Sequence, residues 1–123
     1  MSTVPAYTPQ RLAWLTLRHQ RGESVTYTDG DLVIDLVAVA TRPDARQVDA
    51  TEGFIVSSRA MDWLVDPDEL IDEQNNRVEP ADGAFITRKS GEKYKLMPTD
   101  GSEDTWRWSD PLETWRRINT AKA

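Results

Sequence analysis

The sequence predicts an all-β fold: a small barrel or sandwich of about six to eight strands, with a short N-terminal helix and long loops. Three observations carry that expectation. Asp29-Gly30 stands between two runs of alternating apolar residues, the strongest short-range hairpin signal in the chain. Residues 78–118 alternate short strand-like runs with turn signals, four runs in about forty residues, which is the spacing of small barrels and sandwiches. A length of 123 residues suits one domain with one hydrophobic core. Residues 1–123 are therefore read as a single barrel-like domain, with residues 1–8 as a loose N-terminal arm.

Taken in order, Thr8-Pro9 has the chemistry of a helix start, threonine as N-cap and proline at the first helical position. Leu12, Trp14, Leu15 and Leu17 supply an apolar stripe, and Gly22 is the stop signal. Residues 24–28 and 31–41 form the arms of the Asp29-Gly30 hairpin. The second arm puts Leu32, Ile34, Leu36, Ala38 and Ala40 on one face, and Val33, Val37 and Val39 on the other with Asp35. A strand apolar on both faces needs cover on both, from the helix or from a neighbouring subunit.

Residues 41–51 are polar and contain Pro43, so they read as a loop. Phe54, Val56 and Ser58 are even-numbered, whereas Met61, Trp63 and Val65 are odd-numbered; a bulge near Ser58-Arg59-Ala60 would reconcile the two phases. Asp66-Pro67-Asp68-Glu69 has the pattern of a one-turn helix, anchored by Leu70 and Ile71 and followed by a loop over residues 72–76. Pro80-Ala81-Asp82-Gly83 is turn chemistry, and residues 84–87 follow as a strand. Lys89-Ser90-Gly91-Glu92 reverses the chain, after which Tyr94 and Leu96 alternate with Lys93 and Lys95. Pro98 ends that strand, Asp100-Gly101 turns the chain again, and Trp106 and Trp108 share a face. Ser109-Asp110-Pro111 breaks the run before a last strand over residues 114–120.

Composition narrows the function. The net charge is −6, with a sequence pI of 4.7 and a mean hydropathy of −0.62, so the basic footprint of a free-standing nucleic-acid binder is missing. Residues 66–82 hold seven acidic residues (Asp66, Asp68, Glu69, Asp72, Glu73, Glu79 and Asp82) against Arg77 alone, a surplus equal to the net charge of the whole chain. Such a run is ordinarily a solvated surface. No apolar stretch approaches the roughly 18 residues of a membrane span, and the first twenty residues lack the order of a secretory signal. The chain has no cysteine, which leaves neither a disulfide framework nor a thiolate metal site and suits assembly in a cytoplasm.

Catalytic chemistry has little to work with. His19 is the one histidine, and it falls in the expected helix with no nucleophile motif beside it. The acidic run lacks the D-x-[DN]-x-[DN]-G loop of a calcium site, and no glycine loop is built to cradle phosphate. The expectation is a protein without catalytic residues, metal or cofactor that works through its surfaces. Trp63, Trp106, Trp108 and Trp115 are the candidate core or interface aromatics. Trp106 and Trp108, with Arg107, Arg116, Arg117, Lys93 and Lys95, could instead stack bases as an oligonucleotide-binding barrel does, although the overall charge opposes that reading.

Several segments together resemble a known family. They are Val25-Thr26-Tyr27, Asp62-Trp63-Leu64-Val65, Glu69-Leu70, the turn at residues 80–83, the strand with Tyr94, Trp106-Arg107-Trp108-Ser109-Asp110-Pro111 and Arg117-Ile118-Asn119-Thr120. Their order and spacing, from about Ser24 onward, are similar to those of the small head–tail joining, or stopper, proteins of tailed bacteriophages, similar in plan to the head–tail joining protein of phage lambda. Two details depart: Asp82-Gly83 stands where the family has Gly-Asp, and Asn119 where it has histidine.

The resemblance implies a barrel-like protomer forming a homo-oligomeric ring, commonly a hexamer, in the neck of the virion. Its neighbours would be the portal or adaptor protein above and a tail-terminator or tail protein below. Packaged DNA would pass nearby without sequence-specific binding, and the ring would help retain it. Assembly would take place in the host cytoplasm, without a membrane. A tail-terminator, or tail-completion, protein is the rival within phage biology. On the ring reading, Asp66, Asp68, Glu69, Asp72 and Glu73 are the candidate channel-facing acidic segment.

Overall fold

The computed structural model describes residues 9–42, 60–98 and 104–123. The expected N-terminal arm, the loop after Pro43, the run with Phe54 and Val56, the bulge near Ser58 and the turn at Asp100-Gly101 lie outside the described residues, wholly or in their decisive part. Among the described residues one helix, α1 (Pro9–Arg21), precedes seven strands: β1 (Glu23–Asp29), β2 (Leu32–Thr41), β3 (Ala60–Val65), β4 (Phe85–Arg88), β5 (Lys93–Leu96), β6 (Trp106–Trp108) and β7 (Arg116–Lys122). The sheet runs β3-β2-β1-β4-β5-β7-β6, and β3 also pairs with β7. That pairing closes six strands into a barrel, and β6 lies outside the closed circle. All the strand pairs are antiparallel.

Alternation decides which residues enter the barrel. Val25 and Tyr27, Leu36 and Ala38, Trp63 and Val65, Ile86, Tyr94 and Leu96, and Ile118 form one buried cluster with Ala84 and Leu70. On β3 it is the odd-numbered set that faces inward, since Met61 packs on the same cluster as Trp63 and Val65. β7 is paired along both edges: β3 runs along one, while β5 and β6 share the other, at Thr120–Lys122 and Arg116–Ile118 respectively.

The first hairpin is present one residue later than the sequence suggests. Asp29 pairs with Leu32, so the two turn residues are Gly30 and Asp31. Gly30, as first central residue, has φ of +60°, while Asp31 is not among the positive-φ residues. This is the II′ arrangement, which wants glycine at that place and matches the twist of the arms. The later turn behaves likewise: Ala84 N–H donates to the Ala81 carbonyl at 3.1 Å, which puts Gly83, with φ of +87°, third in a turn of the type that requires positive φ there.

Helix α1 covers the outer face of the barrel. Trp14 is fully buried against Val39 and Leu64, with Leu15, Leu17 and Trp115 around it. The second apolar face of β2 thus finds its cover within the same chain, but only over its C-terminal half. Gly22 marks where helix and sheet touch. A Cβ there would lie 2.7 Å from Val37 Cγ1 and would collide with the Arg18 carbonyl. Gly22→Ala is expected to cost about 1–3 kcal/mol by overpacking, read as a lower urea midpoint; parental stability would mean that α1 can shift away freely.

The expected helical turn over residues 66–69 is a β-turn. Glu69 N–H donates to the Asp66 carbonyl at 3.0 Å, and Asp68 N–H donates to the Asp66 carboxylate at 2.9 Å. Asp66 does cap this turn, but no helix follows it. The Leu70 carbonyl is taken instead by Val78 N–H at 2.8 Å, and the Leu70 side chain is fully buried in the barrel core.

Candidate functional site

Residues 66–82 connect β3 to β4 and close one end of the barrel. Leu70 and Val78 pack inward against the core, and a short tongue is pinned by an isolated bridge between Ile71 and Arg77. At its tip Asn75 has φ of +65°, and the Asp72 carboxylate accepts N–H from Gln74 and Asn76, each at 2.9 Å. Three further bonds hold the segment to the barrel. The Tyr27 hydroxyl accepts from Ala81 N–H at 3.1 Å, Thr105 Oγ1 donates to the Pro80 carbonyl at 3.3 Å, and Arg116 Nη1 donates to the Val78 carbonyl at 2.6 Å.

Arg116 is the unusual group at this end. It is 3% exposed, and its guanidinium carbon lies 4.6 Å from the Trp106 ring centroid and 5.5 Å from that of Trp108. The two indoles meet edge to face, 5.2 Å apart. Burial pushes the Arg116 pKa down, the nearby Arg77 charge adds to that, and Glu79 and Asp68 oppose it; arginine nevertheless stays protonated. Burial also pushes the Tyr27 pKa up, opposed by its bond from Ala81 and favoured by Asp29. A tyrosine whose folded pKa is raised contributes stability that is present below pH about 10 and lost as the pH climbs through the folded value.

The acidic candidates separate into two groups. Asp66 is buried and accepts from Arg11 at 2.7 Å; Glu69 accepts from Arg18 at 2.8 Å; Asp68 takes Arg77 at 2.8 Å. Arg11 and Arg18 are seven apart on α1 with Trp14 between them, so one helical face carries an arginine, an indole and a second arginine. Sequence reasoning missed these two partners, although the seven-residue spacing around the apolar stripe was the available signal. Asp72, Glu73, Glu79 and Asp82 have no ion pair among the described residues. Of the surplus of six negatives in residues 66–82, Arg11 and Arg18 offset two, and the buried Arg116 at the same end opposes a third.

The four tryptophans are not brought together. Trp63 is fully buried inside the barrel. Trp106 and Trp108 are half-buried around Arg116 at the acidic end, and Trp115 lies outside the barrel with its ring 5.6 Å from that of Trp14. They stand at three separate places. His19 is exposed on α1. No group of three or more histidine or carboxylate side chains could hold a metal ion among the described residues, and no helix among them is long and apolar enough to cross a membrane.

No curated protein and no solved structure matches this chain. The family model described as phage head-tail joining protein matches residues 9–123, which includes α1 as well as the whole barrel. With an all-β barrel, an acidic closed end and a match over nearly its full length, this chain belongs to the phage head-tail joining protein family.

Proposed function

We propose that this protein is a neck-ring component of a tailed phage, docking between the portal or adaptor assembly and the tail and helping to retain packaged DNA. It acts through interfaces and carries out no catalysis. Residues 66–82 form the rim of the channel. The observation that supports the reading is the fixed acidic end of the barrel. Leu70 and the Arg116–Val78 bond hold the segment in place, while Glu73, Glu79 and Asp82 stay exposed. A rigid negative rim repeated around a ring repels DNA phosphates and gives them no sticking point. Screening limits the effect to roughly 8 Å at physiological salt, so the carboxylates must border the lumen to act.

The test is imaging of the neck in assembled particles together with a charge-neutral rim. Asp68→Asn, Asp72→Asn, Glu73→Gln and Glu79→Gln combined should leave the fold intact, since exposed changes usually stay within about 0.5 kcal/mol each. Glu69 and Asp66 are kept because they hold α1. Heads and tails are expected to join normally, with slower DNA ejection that worsens at low salt. Ejection equal to the parent at every salt concentration, or density placing the segment on the outer wall, would exclude the channel role.

A further inference from the structure

We infer that successive copies of this chain join head to tail through opposite walls of the barrel. The outer face of β2 at Asp31, Val33 and Asp35 in one copy lies on the outer face of β5 at Lys93, Lys95 and Met97 in the next. This rests on the ring reading and assigns its interface.

The strand circle is the first ground. In the closed order β1-β2-β3-β7-β5-β4, two strands separate β2 from β5 in either direction, so the two face away from each other across the barrel. The outward faces of these walls carry opposite charge. On β2, α1 covers Val39 and Gly22 meets Val37, which leaves the N-terminal half bare. There Val33 is 62% exposed between Asp31 and Asp35, both exposed. This strip is one side of an open groove of about 730 Å³, whose other side includes Asp72 and Glu73. Among the described residues no lysine or arginine lines the groove, and the further carboxylate there, Glu69, is already bound to Arg18.

The outward side of β5 reads base, base, apolar. Lys93 and Lys95 are exposed, and Met97 just beyond them is 43% exposed. Lys93 Nζ stands 4.6 Å over the Phe85 ring. Lys95 sits in the ladder between Phe85 and the small Ala121, so one flank of it is open. Within each strand outward side chains recur at every second residue, about 6.6 Å; Asp31 precedes β2 in the hairpin turn and Met97 follows β5. Two carboxylates beside an exposed valine on one wall thus face two ammonium groups beside an exposed methionine on the other.

The occupant follows from the signs. A two-fold pairing of either wall with itself would oppose like charges, which is unfavourable. Two complementary surfaces at different places on one chain make a heterologous contact, the type that closes into rings. Glu79 and Asp82 of the acidic segment do not line the groove, so a wall-to-wall contact leaves them free, whereas Asp72 and Glu73 border it.

The test is made in assembled particles. Because the chain has no cysteine, Val33→Cys with Lys95→Cys introduces the only thiols it carries. A short bismaleimide is expected to give a ladder of covalent multimers from the double variant and only monomer from either single variant. Charge reversal supplies the second arm. Asp31→Lys with Asp35→Lys, or Lys93→Glu with Lys95→Glu, should each abolish the ring, and the chain carrying all four changes should restore it. Dimers from Val33→Cys alone, or four-fold reversed chains that stay unassembled while folded, would overturn the interface. A ring seen in the parent neck without the cross-link ladder rejects this interface and leaves the ring intact; a neck without any ring of this chain rejects both.

Discussion

Trp63→Ala is expected to lower the unfolding free energy by about 3–5 kcal/mol, the range for deleting a large buried aromatic. Against the roughly 5–15 kcal/mol of a typical domain, that is about a fifth of the total or more. Trp63 is fully buried and lies in the ladder between Ala40 and Ile118, where the small Ala40 leaves room for the indole. Its ring meets Tyr94 edge-on at 5.5 Å and carries the Arg88 guanidinium at 5.3 Å. Arg88 in turn reaches Glu23 at 2.9 Å and Glu92 at 3.5 Å, so the indole is the floor of the ion cluster at the other end of the barrel. Trp63→Phe should cost less than half as much. The indole N–H finds no acceptor among the described residues, and phenylalanine removes that buried donor as it removes volume. Urea unfolding with an unchanged slope gives both values; a Trp63→Ala loss under about 1 kcal/mol would mean the barrel collapses around the gap.

The second large effect belongs to Arg116. Arg116→Ala is expected to destabilise by about 2–4 kcal/mol, combining an unsatisfied Val78 carbonyl with the loss of two cation–π contacts. Arg116→Lys should recover only part of this, because a single ammonium cannot donate to Val78 and also lie flat against both Trp106 and Trp108. Loss of the bond also frees residues 66–82 from β7, so faster amide exchange at Leu70 and Val78 should accompany the drop in stability. An Arg116→Ala protein with parental stability and exchange would show that Leu70 alone holds the segment.

Periodicity carried the sequence reading where the chain has simple alternation. The β2 pattern, the Lys93–Leu96 pattern and the Trp106–Trp108 pair each group the side chains that share a face, because a period of two leaves no other choice. Two kinds of error have physical causes. At the first hairpin, Asp-Gly fits a type I′ turn with aspartate first, but the register that buries Val25 and Tyr27 opposite Leu36 and Ile34 moves the turn to Gly30-Asp31. At residues 66–69 the local capping chemistry was sound, yet burying Leu70 in the barrel draws the chain away from a helix. The pairs Arg11–Asp66 and Arg18–Glu69 join residues 55 and 51 positions apart, and no local pattern specifies such a partner.

The double pairing of β7 also has a consequence in time. The strand that closes the circle is the last one in the described chain, and it joins β3 across separations such as the 55 residues between Asp62 and Arg117. On a ribosome, β1 to β5 emerge with β3 and β5 still lacking a partner along one edge, an arrangement prone to pairing with other chains. Closure can come only when residues 116–122 are available, and it then fills both edges at once. Non-local closure of this kind is intrinsically slow. The unfinished protomer therefore spends its riskiest interval as an open sheet, and a chain cut short before β7 would be expected to aggregate rather than wait as a smaller folded unit.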